Sequence, residues 1–306
     1  MRRTATVFTG LVGRFLKTWG INIAETYQFL QINSWVLRGM IAPIAVVSSL
    51  RLTVQLYLLD RRAARSGFRT AMLWVLQRYY RASIGACPPA ELMTGPLLVV
   101  ANHPGLGDFL ALLECLPRED VRVIVKQREL LADKPHILSS CIVITESTAS
   151  KAAALQEGIR HLQQGGMLVV FPAGEIEDDP RSPAAAQPDS SCLKPWMPVV
   201  DSIARRCRRD SIPLAVLPAA IDHVYHVPGV LHPWIAAAAT PETRSGRAAI
   251  ITMLLPRTPH KRIRVRFLHA VYPATPGGQL TEDIRSRIEA VLSDHTPQSV
   301  ATPYNM

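Results

Sequence analysis

Apolar positions along this chain follow two different rhythms. In residues 1–90, apolar stretches alternate with single basic residues, as on helices with one wet side. Beyond Pro88-Pro89 and Gly95-Pro96 the pattern becomes short apolar runs separated by amphipathic stretches. Runs at Leu97–Ala101, Val121–Lys126, Cys141–Thr145, Met167–Phe171 and Pro213–Ile221 predict strands buried on both faces. In the last of these, Pro213 and Pro218 are expected to mark the start and the exit, because proline cannot serve a central ladder. Arg262–Val271 alternates arginine with Ile263, Val265 and Phe267, which predicts a strand with one wet face. Helices are predicted at Asp108–Cys115, Glu129–Asp133, Ser150–Gln164, Val199–Arg208 and Thr281–Asp294. The last begins with an N-cap threonine and two acids, and carries a stripe of Ile284, Ile288, Val291 and Leu292. Asp178–Pro195, rich in Pro, Ser and Asp, predicts a mobile surface loop. The expected class is α/β: a mostly parallel mixed sheet flanked by helices, with an N-terminal helical membrane-associating segment. The expected divisions are 1–90 for that segment, 91–295 for the sheet domain and 296–306 for a flexible tail.

Charge sharpens the reading of the first segment. The chain has 306 residues and a formal net charge of +10. Residues 1–90 hold twelve Lys/Arg against Glu25 and Asp60, so the whole excess lies there. Basic residues among apolar and aromatic ones point to an anionic lipid surface as partner. The longest uncharged apolar run, Gly39–Leu50, is too short to span a bilayer, which takes about 20 residues. Extending it to Leu59 puts Arg51 near the middle, at a cost of about 2.5–3.5 kcal/mol. Neighbouring Leu, Ile and Val can offset that cost, so a single span is the alternative to the favoured reading, helices lying in or dipping into one leaflet of a peripheral or monotopic protein. The same apolar faces can also cover the sheet domain. No secretory signal is evident, and the five cysteines lack metal-ligand spacing. They read as reduced thiols, which places the protein on the cytoplasmic face of its membrane.

Candidate chemistry sits at the strand ends. Leu97–Ala101 leads into Asn102-His103, and Asp108 follows five positions after the histidine. A base and a carboxylate able to orient it then share the turn leaving a buried strand. The alternative is a loop histidine followed by an N-cap aspartate. Phe171-Pro172-Ala173-Gly174-Glu175 ends a second buried run and puts the Glu175 carboxylate on the same rim if the strands are parallel. No metal site is expected.

Taken in order, these segments resemble the glycerolipid acyltransferase (PlsC-like, lysophospholipid acyltransferase) superfamily. Asn102-His103 with Asp108 matches its Asn-His-x4-Asp block. Phe171–Glu175 resembles its Phe-Pro-Glu-Gly block, in the Phe-Pro-Ala-Gly-Glu form of the haemolysin-like and ornithine-lipid branch. Ile212–Pro218 resembles its closing Val-Pro-x-x-Pro block with a wider gap, and Val123–Lys126 resembles its strand-plus-lysine segment. The resemblance implies acyl transfer from a thioester, acyl-CoA or acyl-carrier protein, with no further cofactor. His103 would be the general base on an acceptor hydroxyl or amine, and Asp108 its orienting partner. Amides at the start of the following helix would stabilise the oxyanion. Asn102, Lys126, Phe171, Pro172, Gly174 and Glu175 would bind substrate.

Two departures bear on the acceptor. The family's phosphate-linked arginine is missing from Ile142–Ser147, and Ala173 stands at the usual glutamate position, so Glu175 is expected to take that role. Glu177, Asp178 and Asp179 add negative charge that would repel a phosphate, unless Lys126, Arg128 or Lys194 offsets it. A 1-acylglycerol-3-phosphate acyltransferase proper and a non-catalytic lipid-binding relative are the alternatives. A dinucleotide site is disfavoured because Gly105-x-Gly107 lacks its third glycine. Nucleic acid is not expected, given the apolar density around Arg61–Arg69.

Overall fold

The computed structural model describes residues 2–84, 87–105, 107–180, 191, 193–224, 233–254, 261–273 and 279–294. In chain order the elements are α1 (Arg2–Leu30), α2 (Trp35–Ser66), α3 (Phe68–Tyr79), β1 (Tyr80–Ile84), β2 (Leu97–Ala101), α4 (Asp108–Leu112), β3 (Val121–Lys126), α5 (Pro135–Leu138), β4 (Cys141–Ile144) and α6 (Thr148–Gln163). They continue with β5 (Met167–Val170), α7 (Val199–Arg209), β6 (Ala215–Asp222), α8 (Pro233–Ala236), α9 (Pro241–Leu254), β7 (Lys261–Phe267) and α10 (Leu280–Ser293). Seven strands form one sheet in the order β1-β7-β6-β2-β5-β3-β4. Every pairing is parallel except β6 with β7, so the sheet is mostly parallel and mixed, as expected.

Alternation along the central strands sorts the core into two layers. Leu97, Val99 and Ala101 of β2, with Met167 and Val169 of β5, face α3, α4 and α5. Leu98, Val100, Leu168 and Val170 face α6, α7 and α10. Both faces are covered, so these strands read as unbroken apolar runs. β2 and β5 are therefore the most deeply buried strands, and their carboxyl ends carry the two motif segments.

Four expectations change. Tyr80–Ile84 is a strand paired with β7, so the sheet begins ahead of residue 91. Pro218 lies inside β6, not at its exit. Its carbonyl accepts from Leu268 N–H, on the β7 side, and alternation puts its missing N–H on that side too. β7 has ended at Phe267 there, so no bond to β2 is lost. Cys87 and Cys115 form a disulfide with Cα atoms 5.3 Å apart, while Cys141 and Cys207 remain thiols. Of the expected loop 178–195, residues 181–190 and 192 lie outside the described residues; its described start is held, with Asp179 fully buried. The expected tail, 296–306, and Cys192 lie outside the described residues.

α1 and α2 form an antiparallel hairpin, tied by Asn22 Nδ2 donating to Thr53 Oγ1 at 2.8 Å. Met40, Ile44, Val47, Val54 and Leu58 are exposed along α2 at spacings of three, four and seven residues. That is one helical face left uncovered by protein. α2 is long and apolar enough to cross a membrane by length and composition. Arg51 does not stand free on it: its guanidinium donates to the carbonyls of Met253 and Leu254, capping α9. Arg247 of α9 reciprocates, donating to Phe29 O at the end of α1.

A charged knot fastens the hairpin to the sheet domain. Lys134 has no solvent exposure, pairs with Asp133, and sits 3.7 Å from the Tyr57 ring centroid. Tyr57 also donates to Asp133, and Asp60 accepts from the N–H groups of His136 and Ile137 at 2.9 and 3.0 Å. Removing one partner of such a buried pair strands the other. Lys134→Ala is expected to lower stability by about 3 kcal/mol, read as a loss in denaturant midpoint for the detergent-solubilised chain; an unchanged midpoint would show the pair to be dispensable.

Candidate active site

The turn after β2 is built to hold a histidine. Asn102, fully buried, donates from Nδ2 to Ile221 O and accepts from Ile221 N, each at 2.8 Å. It staples the exit of β2 to β6. This is a structural role, not the substrate contact expected of it. One residue on, the chain leaves the sheet and His103 comes up on the rim.

His103 Nδ1 lies 2.7 Å from Asp108 Oδ2. Asp108 is buried at the first position of α4, and its carboxylate is held by two N–H groups. Gly105 N–H donates to Oδ2 at 3.1 Å and Phe109 N–H to Oδ1 at 2.6 Å. The Gly105 and Phe109 amides are thus engaged with Asp108 and are not free for an oxyanion. With Nδ1 facing a carboxylate, the proton sits on Nδ1 and the Nε2 lone pair is open. Among the described residues no hydrogen bond engages Nε2, and the side chain is 26% exposed. The Phe171 ring packs at 4.6 Å, centroid to centroid, against the imidazole.

The second motif segment adjoins the first because β5 pairs with β2 in parallel. Gly174 has φ +69°, and a Cβ there would come within 2.6 Å of Met197 Cε, so this turn requires glycine. Pro172 O accepts from Met197 N–H at 3.0 Å. Glu175, expected beside the histidine, is about half exposed and pairs with Lys194 at 3.2 Å. Lys126 pairs with Glu146 at 3.3 Å, on the far side of β5. It stands beside the segment where the arginine is missing, and not beside His103.

Glu177 takes the place foreseen for Glu175. It is fully buried, and its Oε2 accepts from His103 N–H at 2.8 Å. Its own N–H donates to His103 O at 2.8 Å. Oε1 accepts from Lys194 N–H and Trp196 Nε1–H, both at 3.0 Å. Its partners lie 74 and 19 positions away, so no local spacing announces it. Asp178 and Asp179, expected to add to an acidic rim, are also engaged. Asp178 pairs with Arg244 of α9, and Asp179 accepts from the N–H groups of His223 and Val224.

A second histidine–aspartate pair lies at the end of β6. His223 Nδ1 is 2.7 Å from Asp222, which also accepts from both Arg264 and Arg266. Burial favours the neutral form of Asp222, but the bonds to His223 and Arg264 outweigh it and hold the carboxyl well below its usual range. His223 has φ +63°, a left-handed conformation uncommon for this residue type. These groups close the β6–β7 edge.

Residues 82–221 match the family model described as Acyltransferase. This segment is similar to an acyltransferase domain. It contains His103, Asp108 and Glu177. Among solved structures, the chain is similar to the 1-acyl-sn-glycerophosphate (LPA) acyltransferase PlsC from Thermotoga maritima. Identity is 17% over 95% of this chain and 96% of that chain, with a TM-score of 0.43. No curated protein sequence matches.

Electrostatics around His103 favour a basic imidazole. Burial of the His103 ring opposes protonation. Asp108, then Glu177 and Glu242, outweigh it and raise the imidazole above the ordinary value of 6.5. A ring that must be neutral to accept a proton is inactive below that raised value. The kcat/KM of acyl transfer is therefore expected to climb with pH, with an acid limb centred above 6.5; a limb centred below 6.5 would contradict His103 as the titrating group. The linked stability has the opposite sense. Protonating His103 favours the folded state, fully below the unfolded pKa, and that contribution fades as pH rises through the folded value.

Proposed function

We propose that this chain is a membrane-associated lysophospholipid-type acyltransferase. It moves a fatty acyl group from a thioester, carried by coenzyme A or acyl-carrier protein, to a hydroxyl or amine of a lipid or lysolipid acceptor. The observation that carries this is the 2.7 Å bond from His103 to buried Asp108, with Nε2 open on the rim of an acyltransferase-family sheet.

Nε2 removes the acceptor proton as its oxygen or nitrogen attacks the thioester carbonyl. The tetrahedral intermediate then collapses and expels the thiolate, which takes the proton back from the imidazolium. Asp108 fixes the tautomer and stabilises the imidazolium between those steps, as the aspartate of a serine triad does. No enzyme nucleophile is needed, since the acceptor itself attacks.

The cations near the rim support an acceptor without a phosphate beside its reacting group. Lys194 is shared between Glu175 and Glu242 at 3.2 and 3.8 Å, Lys126 and Lys151 both meet Glu146, and Arg244 meets Asp178. The uncovered face of α2 and the basic residues of the first helices support seating on an anionic membrane, while the Cys87–Cys115 disulfide removes the reduced-thiol argument for its cytoplasmic face.

The test is lipid analysis by mass spectrometry after expression of the wild type and His103→Ala. The variant is expected to lose the acylated product, with turnover down about 1,000-fold, while still folding and co-sedimenting with anionic vesicles. Asp108→Asn is expected to follow it. Near-normal product in His103→Ala would remove the assignment.

A further inference from the structure

We propose that Glu177 is a positioning residue for catalysis, locking the backbone of His103 while setting a carboxylate beside its imidazole. This rests on the acyl-transfer reading above. Two bonds tie the residues in opposite directions, His103 N–H to Glu177 Oε2 and Glu177 N–H to His103 O, each at 2.8 Å. They join the exits of β2 and β5 beyond the last strand pair, at Val100 and Val170. The remaining oxygen is held by Lys194 N–H and Trp196 Nε1–H, so the carboxylate has little freedom to turn. Ala173 leaves the motif position without a carboxylate, and Glu177 brings one to the catalytic turn from four positions further on.

The charged groups facing His103 come from three elements. Asp108 belongs to α4, Glu177 to the exit of β5, and Glu242 to the start of α9, where it shares Lys194 with Glu175. Burial raises the Glu177 carboxyl above the usual glutamate value, and the three donated N–H groups oppose that. A merely structural glutamate would support the turn without affecting the imidazole.

The experiment titrates the histidine ring by NMR in the full-length, 13C-histidine-labelled chain in micelles. The His103 signal is assigned by its loss in His103→Gln. Glu177→Gln is expected to lower the His103 pKa by about half a unit or more, and to move the acid limb of kcat/KM down equally. Its kcat is expected to fall about 100-fold, with KM values within about threefold. Trp196→Phe keeps the carboxylate and should leave both titrations in place. Glu177→Asp keeps the charge but shortens its reach, so kcat should fall about 10-fold with the ring pKa unchanged. An unchanged His103 titration in Glu177→Gln, or full kcat in Glu177→Asp, would overturn the proposal. If Glu177→Gln does not fold, the Glu177→Asp result decides. An absence of acyl transfer in the wild type, with the ring titrating as expected, would instead remove the acyl-transfer reading.

Discussion

Buried carboxylates that each accept two backbone N–H groups hold this molecule together. Asp108 takes Gly105 and Phe109, Glu177 takes His103 and Lys194, and Asp179 takes His223 and Val224. Asp60 takes His136 and Ile137, and Asp201 takes Leu280 and Thr281. All five places are strand exits or helix starts, where N–H groups lack partners within their own element. A sheet covered on both faces leaves little water at its rim, so such groups must be satisfied by protein. An ionised carboxylate does this with charge-assisted bonds, and it places negative charge where the chemistry needs a stabilised imidazolium.

That arrangement explains which parts were legible in the sequence. β2 and β5 showed as apolar runs because burial on both faces leaves no room for polar positions, whereas β3 and the edge strand β4 are mostly apolar though partly exposed. His103 and Asp108 showed because both lie on one turn, within five positions. Glu177 did not, because it meets His103 only once β5 has paired with β2, and nothing in the Pro- and Ser-rich stretch marks it as buried. Glu175 was the natural choice by spacing, yet the turn at Gly174 leaves it in solvent against Lys194. β1 was hidden among arginines and tyrosines, since its place at the sheet edge beside β7 imposes no apolar run.

α9 shows a different limit. Pro241–Leu254 has a mixed composition with two arginines, and it suggests no buried helix. In the structure Arg244 is 2% exposed and Arg247 is 6% exposed. One pairs with Asp178 and the other caps α1 and reaches Trp234 O. Gly246 lets α9 approach Phe29 so closely that a Cβ would lie 2.2 Å from the ring. The helix therefore connects the apolar hairpin to the acidic segment behind the catalytic turn. Its two arginines are explained by what they touch and not by solvent.

The same accounting bears on how one histidine can serve both halves of an acyl transfer. A buried imidazole without partners would be a poor base, because desolvation favours its neutral form. Asp108, held in place by Gly105 and Phe109, opposes that effect. Glu177 and Glu242 add their fields from two other elements, and the imidazole is raised above its ordinary value. In the proposed reaction such a ring would take a proton from the acceptor and, once charged, return it to a departing thiolate. Burial, which looks like an obstacle to a base, also strengthens each of these fields at the proposed catalytic turn.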